Sequence, residues 1–434
     1  MKKVLVIGII LLFVWAGIVS GFDEKSTDSS QPTNYGNILC VGGNGPGNYT
    51  SIQSAIDAAS DGDTILVAEG TYYEHVFVNK MLTILGRQFG TGSSIIDGSG
   101  SGSVVTITHN TVVIRNFTIQ HCGSKTFDAG IYLYWYDGAN IVDNIITLNN
   151  NGMFLSVTNY NTIDHNIFEN NINSGIYCEG NSNTISNNTI NNCGGYGINV
   201  KPNRSFNVIT HNVVTSTNEG IRISGNQNTI LNNTVGPSNW FGISLSSTNN
   251  NDIGWNTIIG NKWGIYSTYC TTNNITNNTI KNNVNFGIEL IGGSSNTISY
   301  NFIIGNQFGL STTGSNNLIY NNYFNNTKNA FDNYGTNIWN ISIAMGTNIL
   351  GGPLLGGNYW SDYPYWNQYT ILGYAIYNPN GNGMVFESTK YYPIPTNTPG
   401  VFAQDNHPIP GFELVFVLCA IAIAIFLWRK KRSI

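Results

Sequence analysis

A Gly-apolar pair recurs at Gly130, Gly152, Gly175, Gly197, Gly220, Gly242, Gly264, Gly287 and Gly309, in steps of 22 or 23 residues. An asparagine keeps step with it at Asn144, Asn166, Asn188, Asn212, Asn233, Asn256, Asn278, Asn301 and Asn322. A unit this small cannot bury its own apolar face, so it must stack on its neighbours. The chain is therefore confined to an elongated solenoid, and whatever it does is done from the side of one.

Within a unit the pattern is Gly-Ile-x-apolar, a polar turn, Asn-x-Ile-x-x-Asn-x-Ile, and a second polar turn. Alternation with period two turns Ile131 and Leu133, or Ile221 and Ile223, inward and their neighbours outward. Three short strands per coil fit this spacing, whereas the helices of a βαβ unit do not. Asparagine tolerates left-handed backbone, and its amide can bond to the copies above and below, so the recurrent asparagines are expected to form a structural ladder. The predicted fold is an all-β, single-stranded right-handed parallel β-helix of about a dozen coils.

Only 9% of the residues are charged, 41% are hydrophobic, and 67 are asparagine, which suits a packed β protein and not a disordered one. Residues 1–21 read as a signal peptide or N-terminal anchor, with Lys2 and Lys3 ahead of an apolar run. Residues 414–428 are again apolar and precede Arg429, Lys430, Lys431 and Arg432, which predicts a membrane or sorting tail with the repeats outside the cell. Without those six basic residues and Glu413, 12 Lys+Arg face 22 Asp+Glu, a balance of −10 that argues against nucleic-acid binding. Of six cysteines, Cys419 lies in the tail, and the other five show no paired metal-ligand spacing.

The ends of the array are expected to be closed. Ile52, Ala55, Ile56 and Ala59 share one face of a short helix that Thr50 or Ser51 can cap, a plug for the first coil. A polar leader (22–36) precedes the β-helix and its cap (37–329), followed by an aromatic-rich C-terminal cap (330–392), a Pro-rich stalk (393–410) and the tail (411–434).

Residues 49–65, YTSIQSAIDAASDGDTI, followed by GTYYE at 70–74, look like the opening of right-handed parallel β-helix proteins with the pectin-lyase-like fold. With the Asn-Thr-Ile repeats and GGNYWSDY at 356–363, the chain resembles more narrowly the NosD-type family of periplasmic β-helix domains. That resemblance implies copper as a cofactor, and it places the chain among carbohydrate-binding and sugar-hydrolysing β-helices. Relatives often carry an Asp- and Gly-rich, calcium-like loop after this segment. Residues 364–383 hold no acid, so that role is not carried over. PGFE at 410–413, with the apolar run and basic cluster, resembles the PGF-type sorting signal of archaeal surface proteins and implies an archaeosortase as a processing partner.

Glycoside hydrolysis needs two carboxyls within roughly 5–9.5 Å. The outward columns after the Gly-apolar pair hold one acid each, Glu289 and Glu179, and Glu179 is expected to pair with Lys201 on the next coil. The chain therefore leans away from enzymes. The column before the ladder asparagine contains Asp143, His165 and His211, donors that suit copper or zinc, although two coils separate the histidines. Tyr132, Tyr134, Trp135, Tyr136, Phe154 and Tyr177 cluster on positions that alternation sends to solvent, and flat rings there can stack on sugars unless the segment 122–128 covers them. Phe241, Trp263, Phe286 and Phe308 precede four consecutive glycines and are expected to form a packing ladder. Nine Asn-x-Ser/Thr sequons occur, with Asn203 on an expected exposed turn.

The expected function is a non-catalytic, membrane-anchored surface protein that binds glycans or other envelope components. The alternatives are a polysaccharide lyase, hydrolase or epimerase on the same fold, and a copper-binding accessory protein of NosD type.

Overall fold

The computed structural model describes residues 36–361 apart from 44, 88–91, 334–335 and 343. The expected signal peptide, most of the leader, the stalk and the sorting tail lie outside the described residues. No helix among the described residues is long and apolar enough to cross a membrane.

Three parallel sheets run the length of the array. Face A has 13 strands, from Ile38–Val41 to Leu318–Tyr320. Face B has 13, from Gly70–Tyr73 to Tyr359–Trp360, and face C has 12, from Val76–Val78 to Lys328–Asp332. Each coil visits C, A and B in turn, and every strand pairs in parallel with the same strand of the next coil, as Ile141 does with Ile163 and Ile163 with Ile185. This is a parallel β-solenoid of the right-handed type with about 13 turns.

Short strands leave room for one inward side chain each on faces A and B. Ile163, Ile185, Ile209, Ile230 and Ile253 stack on face A, and all are fully buried. The Gly-apolar strands of face C are longer and bury two residues apiece, such as Ile131 with Leu133. The recurrent glycine is set by close approach. A Cβ at Gly242 would lie 2.7 Å from the carbonyl oxygen of Gly264 and 2.6 Å from Cγ2 of Ile258.

The predicted ladder is present. The Asn188 amide donates to Asn212 Oδ1 at 3.0 Å and to the Ile163 carbonyl at 2.8 Å, while its own oxygen accepts from Asn166. Every polar valence of the buried amide is thereby met, which removes the cost of burying it. The conformational reason given for these asparagines needs correction. The left-handed residue is the one before each, for example Asn187 at φ 54° and His211 at φ 57°, and the ladder asparagine follows the bend and turns inward.

Two further ladders accompany the first. One runs through Asn161, Asn183, Asn207, Asn228, Asn251, Asn273, Asn296 and Asn317 at the bend from face C to face A. The other stands at the bend from B to C, with Asn261, Asn283, Asn306 and Asn326 at one end and Asn149 with Asn171 at the other. Ser238 and Cys122 continue this second ladder, their backbone N–H groups donating to Asn261 and Asn149.

The ends are plugged. The helix Ile52–Ala58 buries Ile52, Ala55 and Ile56, and Ser51 Oγ caps it by accepting from the Ser54 N–H. At the far end the pairing continues past 329, because Lys328–Asp332 adds a strand to face C and Tyr359–Trp360 one to face B. Trp360 stacks on Phe324 at 4.6 Å and packs against Trp339, closing the core with rings. The five cysteines described are free thiols, and burial pushes Cys178 and Cys193 up to about 11.

Candidate functional site

Outward-facing residues of face C hold most of the ring clusters. In the early coils, Tyr132 stacks beside Tyr134 at 5.9 Å, and Tyr134 beside Trp135 at 5.2 Å. Tyr134, Trp135 and Tyr136 are exposed, Trp135 most of all at 65%. Trp135 also holds a left-handed φ of 65°, an uncommon conformation for a bulky side chain.

Phe154 departs from the expectation. It points away from the core, but only 2% of it is exposed. Tyr177 stacks on it at 4.5 Å, Tyr132 leans on it at 5.6 Å, and Phe127 closes over it edge-on at 5.4 Å. The segment 122–128 thus covers one ring and leaves the others open. Phe154 acts as the floor of the patch. Burial pushes the Tyr132 hydroxyl above its ordinary pKa.

The expected Glu179–Lys201 ion pair is absent. Lys201 Nζ sits 5.1 Å above the Tyr177 ring, so a cation–π contact takes its place at the edge of the patch.

One to six coils further along, the same face carries a second cluster. Arg222 donates to the Tyr196 hydroxyl at 3.0 Å and lies 3.6 Å from Glu219, whose other oxygen accepts from Ser244 at 2.7 Å. Phe241 stacks on Tyr266 at 4.3 Å, and Trp263, Phe286 and Phe308 stack in sequence at 6.3 and 5.0 Å. The ladder expected of these rings is therefore present, on the outer surface. Lys262 lies over both Trp240 and Trp263, at 4.2 and 5.0 Å. Glu289 accepts from the Trp263 indole at 2.7 Å, and burial raises its pKa despite that bond.

Sequence reasoning missed Glu219, Tyr196, Trp240 and Lys262 as members of this face. Glu219 was findable, since it occupies the column of Phe241, Trp263 and Phe286 immediately before the glycine. Glu219 and Glu289 still do not pair. Three coils separate them, roughly 14 Å at the rise of a β-ladder.

The column of Asp143, His165 and His211 lies at the bend between faces A and B. Asp143 is ion-paired to Arg115 at 2.7 Å, His165 Nδ1 is hydrogen-bonded to Asp164 Oδ2 at 2.5 Å, and His211 bonds to the Thr210 hydroxyl at 2.9 Å. Burial acts to raise the Asp164 pKa, but hydrogen bonds from Ser186, Asn187 and His165 outweigh it and hold the carboxyl below its ordinary value. Asn187 stands between the two histidines. Among the described residues no three His, Cys, Asp or Glu side chains converge as a ligand set, so the donors present do not fit a copper site.

A solved structure with a similar fold is the mannuronan C-5 epimerase A-module of Azotobacter vinelandii, with a TM-score of 0.58 and 16% identity over 63% of this chain and 89% of that one. The Dettilon tailspike protein gives 0.56 and 15% over 68% of each chain, and the DFA-IIIase of Arthrobacter chlorophenolicus 0.51 and 14% over 65% and 94%. At these identities the likeness is one of fold. A cell surface glycoprotein of Methanothermus fervidus is 34% identical over 169 residues, 35% of this chain and 26% of that protein. The chain thus spans about a quarter of the length of that curated relative. The family model described as periplasmic copper-binding protein (NosD) matches residues 56–239 and 226–364, and with most of the solenoid so covered the chain belongs to the NosD family.

Proposed function

We propose that this chain is a surface-displayed, membrane-anchored β-solenoid that binds polysaccharide along the outer side of face C without cleaving it. The observation that carries this reading is the open ring patch of Tyr134, Trp135 and Tyr136, which Tyr132 joins to the buried Phe154. Exposed rings expose apolar area to water, and the C–H faces of pyranose rings are matched to cover it. The surface placement is supported by the 34% identity to a cell surface glycoprotein, and by the signal and tail expected from the sequence. Copper, named in the family's description, is not assigned here, because no fitting ligand set is present among the described residues.

The test is a glycan array probed with the full-length chain, scoring retention and degradation together. The expected result is retention without product, weakened at least tenfold by Trp135→Ala, a change of about 1.4 kcal/mol. Product release would overturn the non-catalytic reading and direct attention to Glu219, Arg222 and Glu289. No retention on any glycan would overturn the binding reading itself.

A further inference from the structure

The bend between faces A and B carries a pattern that packing does not require. Its left-handed residues on six successive coils are Asn187, His211, Asn232, Trp255, Asn277 and Tyr300, all with φ between 54° and 57°. Asparagine alternates with a ring. Each of the three asparagines opens a sequon, closed by Thr189, Thr234 and Thr279. The middle residue of each sequon is the inward ladder amide Asn188, Asn233 or Asn278. Acceptor and hydroxyl therefore both face outward, on either side of a buried residue.

Two of the other six sequons are tied down by a side-chain hydrogen bond, and Asn116 shares this bend with a left-handed φ of 64°. The Asn48 amide donates to the Gly42 carbonyl at 2.5 Å, and the Asn274 amide to Asp252 at 3.2 Å. The Asn232 and Asn277 amides make no hydrogen bond among the described residues, and Asn187 has only the outward bond to Asp164 at 2.8 Å. None of the nine sequons lies on a strand of face C.

The intervening ring is the second observation. Left-handed backbone is sterically costly for tryptophan, and asparagine or glycine would serve the bend better. Trp255 is nevertheless there, 62% exposed, between Asn232 and Asn277. Coils rise about 4.8 Å, so its ring stands within reach of the first sugar on either neighbour.

We propose that Asn187, Asn232 and Asn277 carry N-linked oligosaccharides, one on every second coil and about 9.6 Å apart, with Trp255 stacked on the proximal sugars of its two neighbours. The donor is a lipid-linked oligosaccharide phosphate. The Asn Nδ2 attacks the anomeric carbon, the C–O bond to phosphate breaks, the phosphate leaves with the electron pair, and a base of the transferase takes the amide proton. This row occupies the bend that face C does not share, so the ring patches stay bare. The proposal uses the exported location expected from the sequence and stands apart from glycan binding on face C.

The experiment is glycopeptide mass spectrometry on the full-length chain isolated from the envelope of its own cells. Added sugar mass is expected on the peptides of all three asparagines, and modification of fewer than two overturns the row, whatever Asn203 carries. Thr234→Val keeps a β-branched residue on the strand and removes the sequon hydroxyl. It should abolish modification at Asn232 alone, with the circular dichroism spectrum unchanged, and persistent modification there overturns the assignment. For the stack, the part of the tryptophan emission that Trp255→Phe removes should shift to the red on deglycosylation. An unmoved component overturns the stacking role.

Discussion

Faces A and B and face C are folded from one repeating chain, yet they treat their outer surfaces differently. Outside A and B the strands mix Thr, Asn and Ser, as in Thr184–Ser186 and Thr189–Asn191, with aliphatic and charged residues, and face B gathers rings only in one late stack of Phe302, Tyr323 and Tyr359. Face C lays Tyr132, Phe154, Tyr177, Phe241, Trp263 and Tyr266 over strands as long as Ser238–Ser246. Where the repeat is strict, the bend and the stack choose the residue. Where it departs from strictness on an outward position, something other than folding has chosen, and face C departs most.

The largest test of that division is a break in the strict part. Asn256→Ala removes an amide that donates to Ile230 and Asn278 and accepts twice from Asn233. Each buried group left unpaired costs about 1–3 kcal/mol, so a loss of about 4 kcal/mol is expected from urea unfolding midpoints. A loss below about 1 kcal/mol would show the ladder to be ornament. Gly242→Ala should cost about 2–3 kcal/mol by overpacking against Gly264 and Ile258. On face C the signature reverses. Trp135→Ala should change stability by less than about 0.5 kcal/mol while weakening glycan retention, because an exposed ring stabilises little.

The same contrast explains how much was legible. The solenoid, the glycine column, the Asn144 to Asn322 ladder and the capping helix could be read because each rests on a period or a cap signal. The ladder from Asn161 to Asn317 was as legible as the first, since it keeps one residue type and the same steps and supplies the leading asparagine of the repeat unit, whereas the ladder at the bend from B to C escaped because its members do not keep one residue type. Cys122 and Ser238 stand in it beside Asn149 and Asn261. On face C, alternation assigned Tyr132 and Tyr134 outward correctly, since direction is a local property, whereas Trp135 is exposed because it stands in the left-handed bend that follows the strand. The burial of Phe154 was invisible, because Phe127 reaches it from the irregular segment 122–128, and only tertiary contact decides coverage. Arg222 and Glu219 are three residues apart on one strand, yet the tyrosine whose hydroxyl accepts from Arg222 comes from the preceding coil.

The smallest expected effect concerns Glu289, the one face C carboxyl whose pKa burial raises. In the folded chain it keeps its proton to higher pH than in the unfolded chain. Its contribution to stability is therefore fully present below the ordinary glutamate value and is lost as pH rises through the raised one. Above both, a carboxylate sits against Trp263 and Tyr266 with the indole N–H as its hydrogen-bond donor. Glu289→Gln keeps the shape and removes the titration. Wild type and variant should differ least at low pH, and the wild type should fall behind as pH rises, more shallowly than the single-proton limit of about 1.4 kcal/mol per pH unit. Parallel stability profiles for the two proteins would mean that Glu289 is solvated like any surface acid. The second cluster would then be a row of rings with a bystander charge, and the early coils would be left as the site that folding does not explain.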